Sequence, residues 1–103
     1  MAEREYIIPY SRDARERHYH KTMKGRVVKF MVQLEVEYKG AWREVVRYDC
    51  AHGFAHRDSY NLSENHIKEE LRMSFKEVLT LADEDLDDNW EDYKEKYLKG
   101  SMP

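Results

Sequence analysis

Cysteine is nearly absent from this chain: Cys50 is the only one among 103 residues. A lone cysteine excludes an internal disulfide and favours a reducing compartment. Long apolar runs are also missing, since no stretch approaches the ~20 residues that span a bilayer. The first residues lack the charged-then-apolar layout of a secretory signal. We therefore expect a cytoplasmic protein with one small core and no membrane contact.

Charged residues, by contrast, are abundant. They make up 38% of the chain against a typical ~25%, and glutamine occurs once, a balance that favours a heat-adapted source. The net charge of −3 conceals an asymmetry. Residues 1–30 hold eight Lys/Arg against four Asp/Glu (+4), and residues 63–98 hold five against twelve (−7). This pattern indicates either phosphate binding by the basic third or attraction between opposite ends of one domain.

A long strand is the clearest feature of the first half. From Arg26 to Tyr38, apolar and polar residues alternate with a period of two, as in a strand with one buried and one wet face. A second strand covers Trp42 to Cys50. A two-residue loop between them would place arginines in the core, whereas a three-residue loop, 39–41, pairs Leu34 with Val46. The buried face of the first strand then consists of Val28, Phe30, Val32, Leu34 and Val36, opposite Lys29, Gln33 and Glu35.

Weaker patterns surround this hairpin. Residues 1–24 show little periodicity and are expected to form an N-terminal arm. Residues 54–60 are expected to form a short third strand that returns along the second. A capping-box pattern at Asn61 predicts a short helix over residues 61–72.

A long C-terminal helix completes the predicted fold. Ser74 and Glu77 match a second capping box, and Gly100 is a natural stop. Apolar residues recur between them at steps of three and four, which predicts one stripe packed along the hairpin. The acidic run at residues 83–88 falls mainly off that stripe and is expected to be solvated. The stripe consists of Phe75, Leu79, Ala82, Leu86, Trp90, Tyr93 and Tyr97.

The predicted fold class is therefore α+β. Residues 1–103 form a single domain. Its sheet, within residues 25–60, consists of a long antiparallel β-hairpin plus a short third strand. The long helix of the helical region, 61–99, covers one face of this sheet. Three strands leave open sheet edges and cover little of the aromatic end of the helix. We therefore expect a homodimer that uses the helix end or a sheet edge.

Residues 47–58 hold a concentration of reactive side chains that a turn does not require. A turn that only reverses the chain is built from Gly, Asn, Pro and Ser, whereas here two histidines, two aspartates, two arginines and a tyrosine surround Gly53. We take this segment as the candidate functional site. Its candidate catalytic residues are His52, His56, Arg57 and Asp49, and its candidate binding residues are Arg47, Tyr48 and Asp58.

Metal-free RNA cleavage is a chemistry that these residue types fit. It needs a base for the 2′-hydroxyl proton, an acid for the leaving oxygen and a cation for the phosphorane charge. His52 and His56 suit the two proton roles. Arg57 or Arg47 suits the phosphate, because a guanidinium forks onto it, and Asp49 suits the orientation of an imidazole. The alternative is structural: the histidines bond the turn backbone, and Arg–Asp pairs fix its shape.

A metal site is the other chemical interpretation of the same segment. Asp49, His52 and His56 would supply three ligands, as in catalytic zinc sites. A His-x3-His spacing has this meaning mainly on a helix, however, and Gly53 between the two histidines indicates a loop. We therefore predict no metal and no other cofactor.

Three further residues have chemistry of their own. Cys50 is expected to join the apolar face of the sheet as a buried, inert thiol. His18 and His20 lie in the N-terminal arm, from which they could reach the 47–58 segment.

The segment Val45–Asp58 resembles a family of small uncharacterised prokaryotic domains with an Arg-Tyr-Asp-x-Ala-His-Gly-x-x-His-Arg core. It is more distantly similar to the TumE-like toxin components of toxin–antitoxin pairs, in which a β-hairpin precedes a comparable element. The toxin resemblance covers about a third of the chain, and the pattern departs from it after Arg57. The toxin resemblance implies a toxin-like, RNA-acting protein with an antitoxin-like protein as partner.

Two classes of function follow from these observations. The first is an RNA-acting, toxin-like protein with metal-independent His/Arg acid–base chemistry. The second is a non-catalytic dimeric interaction module that binds a protein or nucleic-acid partner through its basic N-terminal segment or a sheet edge.

Overall fold

The computed structural model describes residues 1–103 as one antiparallel sheet covered by one helix, which confirms the α+β class. Neighbouring strands in the sheet are also neighbours along the chain. No helix combines the length and the apolar character that crossing a membrane requires. The elements are β1 (Ala2–Ser11), β2 (Ala14–Met23), β3 (Arg26–Tyr38), β4 (Ala41–Asp49), β5 (His56–Tyr60), β6 (His66–Glu70) and α1 (Phe75–Leu98).

The turn between β3 and β4 is shorter than predicted. Tyr38 pairs with Ala41, so Lys39 and Gly40 alone reverse the chain. Both have positive φ, 51° and 80°, the geometry of the type I′ turn that matches the twist of a hairpin. The prediction of a three-residue loop was therefore wrong.

A bulge in β4 restores the predicted pairing further along the hairpin. The register shifts after Glu35↔Glu44, and Leu34 then faces Val46, as predicted. The extra residue is Val45, which is fully buried. A bulge places two residues of one strand opposite one of its partner, so it keeps arginines out of the core without lengthening the turn.

The sheet is twice as wide as the predicted three strands. Residues 1–24 were expected to form an arm, but they supply the β1–β2 hairpin. Their periodicity is weak because Glu16 and His18 occupy buried positions where apolar residues were expected. The predicted N-terminal arm was therefore wrong.

The predicted helix over residues 61–72 was also wrong. Asn61 accepts a hydrogen bond from the backbone N–H of Asn65 at 3.0 Å, and its amide donates to the carbonyl of Gly100 at 2.8 Å. Its side chain therefore closes a turn and ties that turn to the chain end, and β6 follows as the outermost strand. The predicted third strand is present as β5.

Helix α1 begins and ends as predicted. The hydroxyl of Ser74 accepts from the N–H of Glu77, and the Glu77 carboxylate accepts from the N–H of Ser74, a complete capping box. Gly100, with φ 79°, ends the helix. Along the packed face, Val78 is fully buried in addition to the predicted stripe, and Tyr97 is 4% exposed. The helix end is therefore not the open aromatic surface expected to form a dimer.

The core lies between α1 and one face of the sheet. Phe30, Val32, Leu34 and Val36 are buried there, as predicted, but Val28 is 40% exposed because the register between β2 and β3 shifts near it. Cys50 is buried at the edge of this core, also as predicted. The opposite face of the sheet, which carries Gln33 and Glu35, has no helix over it.

The core position of Leu34 gives a direct test of this packing. Leu34→Ala should lower the free energy of unfolding by about 2–5 kcal/mol, because a fully buried side chain leaves a cavity. Val28→Ala is the matched control and should change it by less than about 0.5 kcal/mol. Equal losses in urea denaturation of the two variants would contradict this assignment of the core.

Candidate functional site

Side-chain alternation divides the candidate site between the two faces of the sheet. In β4 and β5, Asp49 pairs with His56 and Tyr48 pairs with Arg57. Successive residues of a strand point to opposite faces, so the first pair lies on the face without the helix, here called the open face, and the second lies under α1. His56 and Arg57 therefore do not converge, and the expected joint site of these two residues is wrong.

On the open face, two aspartates hold His56. Its Nε2 atom contacts Oδ1 of Asp49 and lies 3.3 Å from Oδ2 of Asp58. Arg47 donates from Nε to the other oxygen of Asp49 at 2.6 Å, and His66 lies 2.7 Å from Asp58. His56 is only 2% exposed, so this part of the cluster is rigid and has little access to solvent.

This cluster continues across the sheet as one chain of polar contacts. The amide of Gln33 donates to Glu35 at 2.6 Å and accepts from Arg47 at 3.4 Å. Arg15 donates from Nε to Glu35 at 2.7 Å. The buried carboxylates of this open-face network, Glu35, Asp49 and Asp58, thus each have a cationic or hydrogen-bonding partner.

His52 is the solvent-facing histidine of the segment. It lies in the loop between β4 and β5, and its ring stacks near that of His56, with centroids 6.2 Å apart and an interplanar angle of 25°. A cavity of about 260 Å³ opens beside this loop. Its polar lining comes from Glu5, Tyr19, Lys29, Arg47 and Asp49.

Under the helix, Arg57 belongs to a different group of contacts. Its Nε donates to the hydroxyl of Tyr48 at 3.2 Å, and that hydroxyl donates to Asp85 at 2.6 Å. Tyr93 donates to the other oxygen of Asp85, also at 2.6 Å. Burial, followed by the bond to Asp85, raises the pKa of Tyr93 to about 12 and raises the pKa of Tyr48 further. This arrangement fixes the helix to β4 and β5.

The residues that could bind a metal on the open face differ from the set considered from the sequence, Asp49, His52 and His56. Asp49, His56 and Asp58 each offer a ligand atom, and these atoms lie within 4.8 Å of one another. His52 is not among them, so the predicted alternative shares only Asp49 and His56 with the observed group.

The acidic run of α1 is not simply solvated, as was expected. Asp83 lies 3.2 Å from Nδ1 of His18, and Asp87 accepts from Tyr10 at 2.6 Å. Glu16 is fully buried beside them. Burial, followed by the charges of Asp83 and Asp87, raises the pKa of Glu16 to about 8. His18 and His20 thus lie under the helix on β2, away from the 47–58 segment.

The raised pKa of Glu16 predicts how the thermal stability of the metal-free protein depends on pH. The ordinary pKa of a glutamate is 4.5, and the folded value is higher. Ionisation of Glu16 therefore favours the unfolded chain. The preference of the folded state for the neutral carboxyl stabilises the protein fully below pH ~4.5, and this stabilisation is lost as pH rises through about 8. Glu16→Gln mimics the neutral acid, so its Tm should match the wild type at pH 4.5 and exceed it by ~5 °C at pH 9. An equal difference at both pH values would contradict the assignment.

Comparison with known proteins identifies the family. No curated protein and no solved structure matches the chain. The family described as "Domain of unknown function (DUF7718)" matches residues 1–103, which confirms the predicted membership of a family of small uncharacterised domains. The similarity to TumE-like toxins finds no such support. With its whole length matched, this chain belongs to the DUF7718 family.

Proposed function

We propose that the open face around His52 acts on RNA by metal-independent acid–base chemistry, in a cytoplasmic, toxin-like protein. The observation that carries this proposal is the position of His52. The side chain of His52 is exposed, and it follows Cys50 and Ala51, which line a cavity together with Arg47 and Lys29. Its ring stacks near a second histidine that is held by aspartates.

His52 is the group suited to proton transfer. An imidazole titrates near neutrality, and an exposed ring can reach the 2′-hydroxyl or the leaving oxygen of a bound strand. His56 is buried between Asp49 and Asp58. We therefore assign His56 and Asp49 the role of positioning residues, which hold the loop that carries His52, instead of the catalytic role expected from the sequence.

Arg47 and Lys29 are the groups suited to phosphate. The Nε atom of Arg47 is bonded to Asp49, which orients the guanidinium, and the side chain remains 37% exposed. Both cations border the same cavity as Cys50 and Ala51, so they can neutralise a phosphate bound beside the loop that carries His52. Arg57, which lies under the helix, takes no part in this proposal.

Charge limits the kind of RNA binding that this face supports. Glu5 and Asp49 share the cavity wall with Arg47 and Lys29, so the lining carries two charges of each sign. A broad electrostatic grip on a phosphate backbone needs an excess of cations. The proposed substrate contact is therefore local, at one or two phosphates, and weak dependence on salt is expected.

Substitution of His52 tests the proposal directly. His52→Ala should reduce cleavage of a mixed-sequence single-stranded RNA, and growth arrest on expression, by about 100-fold or more. Its Tm should stay unchanged, because the side chain is exposed. Arg47→Ala should also reduce cleavage, whereas Arg43→Ala, an exposed arginine near the β3–β4 turn at the other end of the hairpin, is the matched control.

Two outcomes would overturn the acid–base proposal. Cleavage that is undiminished in His52→Ala would remove the catalytic role of this residue. Activity that is lost in chelator, restored by Zn²⁺ and abolished by Asp58→Asn would assign the chemistry to a metal bound by Asp49, His56 and Asp58 instead.

The second candidate function is a dimeric interaction module. All five residues of β6 are exposed, and β6 is an outer strand of the sheet. An exposed edge strand offers unpaired N–H and C=O groups to another chain. A second copy, or an antitoxin-like protein, would extend the sheet along this edge.

Light scattering tests this second function. The module predicts a species of twice 12.5 kDa at high micromolar concentration. Ile67→Lys, in the middle of β6, should shift it towards monomer, because an edge charge opposes strand pairing. Leu81→Lys on the outer face of α1 should not. A wild-type monomer under these conditions would contradict the dimer.

A further inference from the structure

We infer that Glu16, His18 and Asp83 form a binding site for a divalent transition-metal ion of the zinc class. Glu16 and His18 lie on β2, and Asp83 lies above them on α1. This site is under the helix, on the opposite face of the sheet from His52, and it does not depend on the proposed RNA chemistry.

Convergence of three ligand atoms is the first observation. One carboxylate oxygen of Glu16, one ring nitrogen of His18 and one carboxylate oxygen of Asp83 lie within 4.8 Å of one another. They come from two elements and positions as far apart as 16 and 83, so the tertiary fold and not local sequence brings them together. An imidazole with two carboxylates is a ligand set that suits zinc.

The buried carboxylate of Glu16 is the second, independent observation. The residue is 0% exposed, and neither of its carboxylate oxygens has a hydrogen-bond partner. A buried polar group without a partner costs free energy, and a buried charge costs more. A cation between Glu16, His18 and Asp83 would satisfy both the geometry and the charge.

Comparison with the open face shows what this cluster lacks. There, Asp49 is paired with Arg47 at 2.6 Å, and Glu35 with Arg15 at 2.7 Å. Under the helix, the only basic group within salt-bridge distance of Asp83 is the imidazole of His18, and Glu16 has none. No lysine or arginine of the chain therefore lies within salt-bridge distance of either carboxyl group.

His20 provides the outer support that metal-binding histidines commonly have. Its Nδ1 lies 2.7 Å from Nε2 of His18. With His18 donating from Nε2 to His20, its Nδ1 would carry the lone pair next to Asp83, which is the tautomer that a metal requires. The ring of Tyr6 stacks on His18 at 4.4 Å and holds its orientation.

Asp83 provides the access route. Its side chain is 38% exposed, whereas that of His18 is 2% exposed. An ion would thus enter from the helix side, past Asp83. Three protein ligands leave room for a water molecule as the fourth.

Zn²⁺ titration of the chelator-treated full-length chain tests this inference. Competition with a chromophoric indicator should give one Zn²⁺ per chain, and Co²⁺ should produce a visible absorption band at the same stoichiometry. Asp83→Asn should weaken Zn²⁺ binding by at least the ~10–100-fold typical of losing an outer-shell partner and should abolish the Co²⁺ band. Because Asp83 is partly exposed, this variant should fold, and circular dichroism checks that it does.

Two variants serve as matched controls. Asp88→Asn changes an exposed aspartate of the same helix, and Asp58→Asn removes a ligand of the cluster on the open face. Both should bind Zn²⁺ as the wild type does. The inference is overturned if the wild type fails to bind, if Asp83→Asn binds equally well, or if Asp58→Asn alone loses the ion.

Discussion

A single helix on one face of a six-stranded sheet is the constraint on which the other features depend. A helix of 24 residues is about 36 Å long, and it packs chiefly on β3 and β4. It can therefore complete an apolar core on one face only. The opposite face is covered only by its own side chains, and the outer strands remain as edges.

The open face is filled by paired charges. Asp49, His56 and Asp58 are buried although no layer covers them, because neighbouring long side chains lie over one another and bond in a chain from Arg15 to His66. A fully paired network of this kind is rigid. Rigid support beneath an exposed histidine is what a positioned acid–base group needs, which is why the proposed chemistry rests on His52 instead of on the buried ring.

On the helix-covered face, the pairing of buried charges is less complete. Its centre is apolar, but towards β1 and β2 the residues under α1 are Glu16 and His18, and Tyr10 bonds Asp87. Towards β5, Arg57 supplies a cation for the Tyr48–Asp85 contact. No such cation stands beside Glu16. This difference between the two sides of one helix is the physical origin of the inferred metal site.

Sequence patterns predicted the elements whose apolar periodicity matches the face that they bury in the fold. The alternation around Leu34 and the capping box at Ser74 identified β3 and α1, because each has one apolar face and standard end chemistry. The hairpin of β1 and β2 could not be predicted in this way, since Glu16 and His18 interrupt its apolar pattern. The bulge at Val45 was hidden for another reason: a two-residue turn plus a bulge gives the same pairing of Leu34 with Val46 as a longer turn.

The sequence grouped residues 47–58 into one candidate site but did not divide them between the two faces of the sheet. The predicted third strand, residues 54–60, already contained His56 and Arg57, so alternation alone placed them on opposite faces. The expectation that both serve one site was inconsistent with that strand. The role of Asp85 could not be predicted, because it depends on where α1 lies across the sheet.

Nuclear Overhauser spectroscopy of the labelled chain tests the division into two faces most directly. The structure predicts cross-peaks from the Arg57 side chain to the rings of Tyr48 and Tyr93, and from the ring of His52 to that of His56. Cross-peaks from the end of the Arg57 side chain to the ring of His52 or His56 would contradict it, because they would place the guanidinium on the open face.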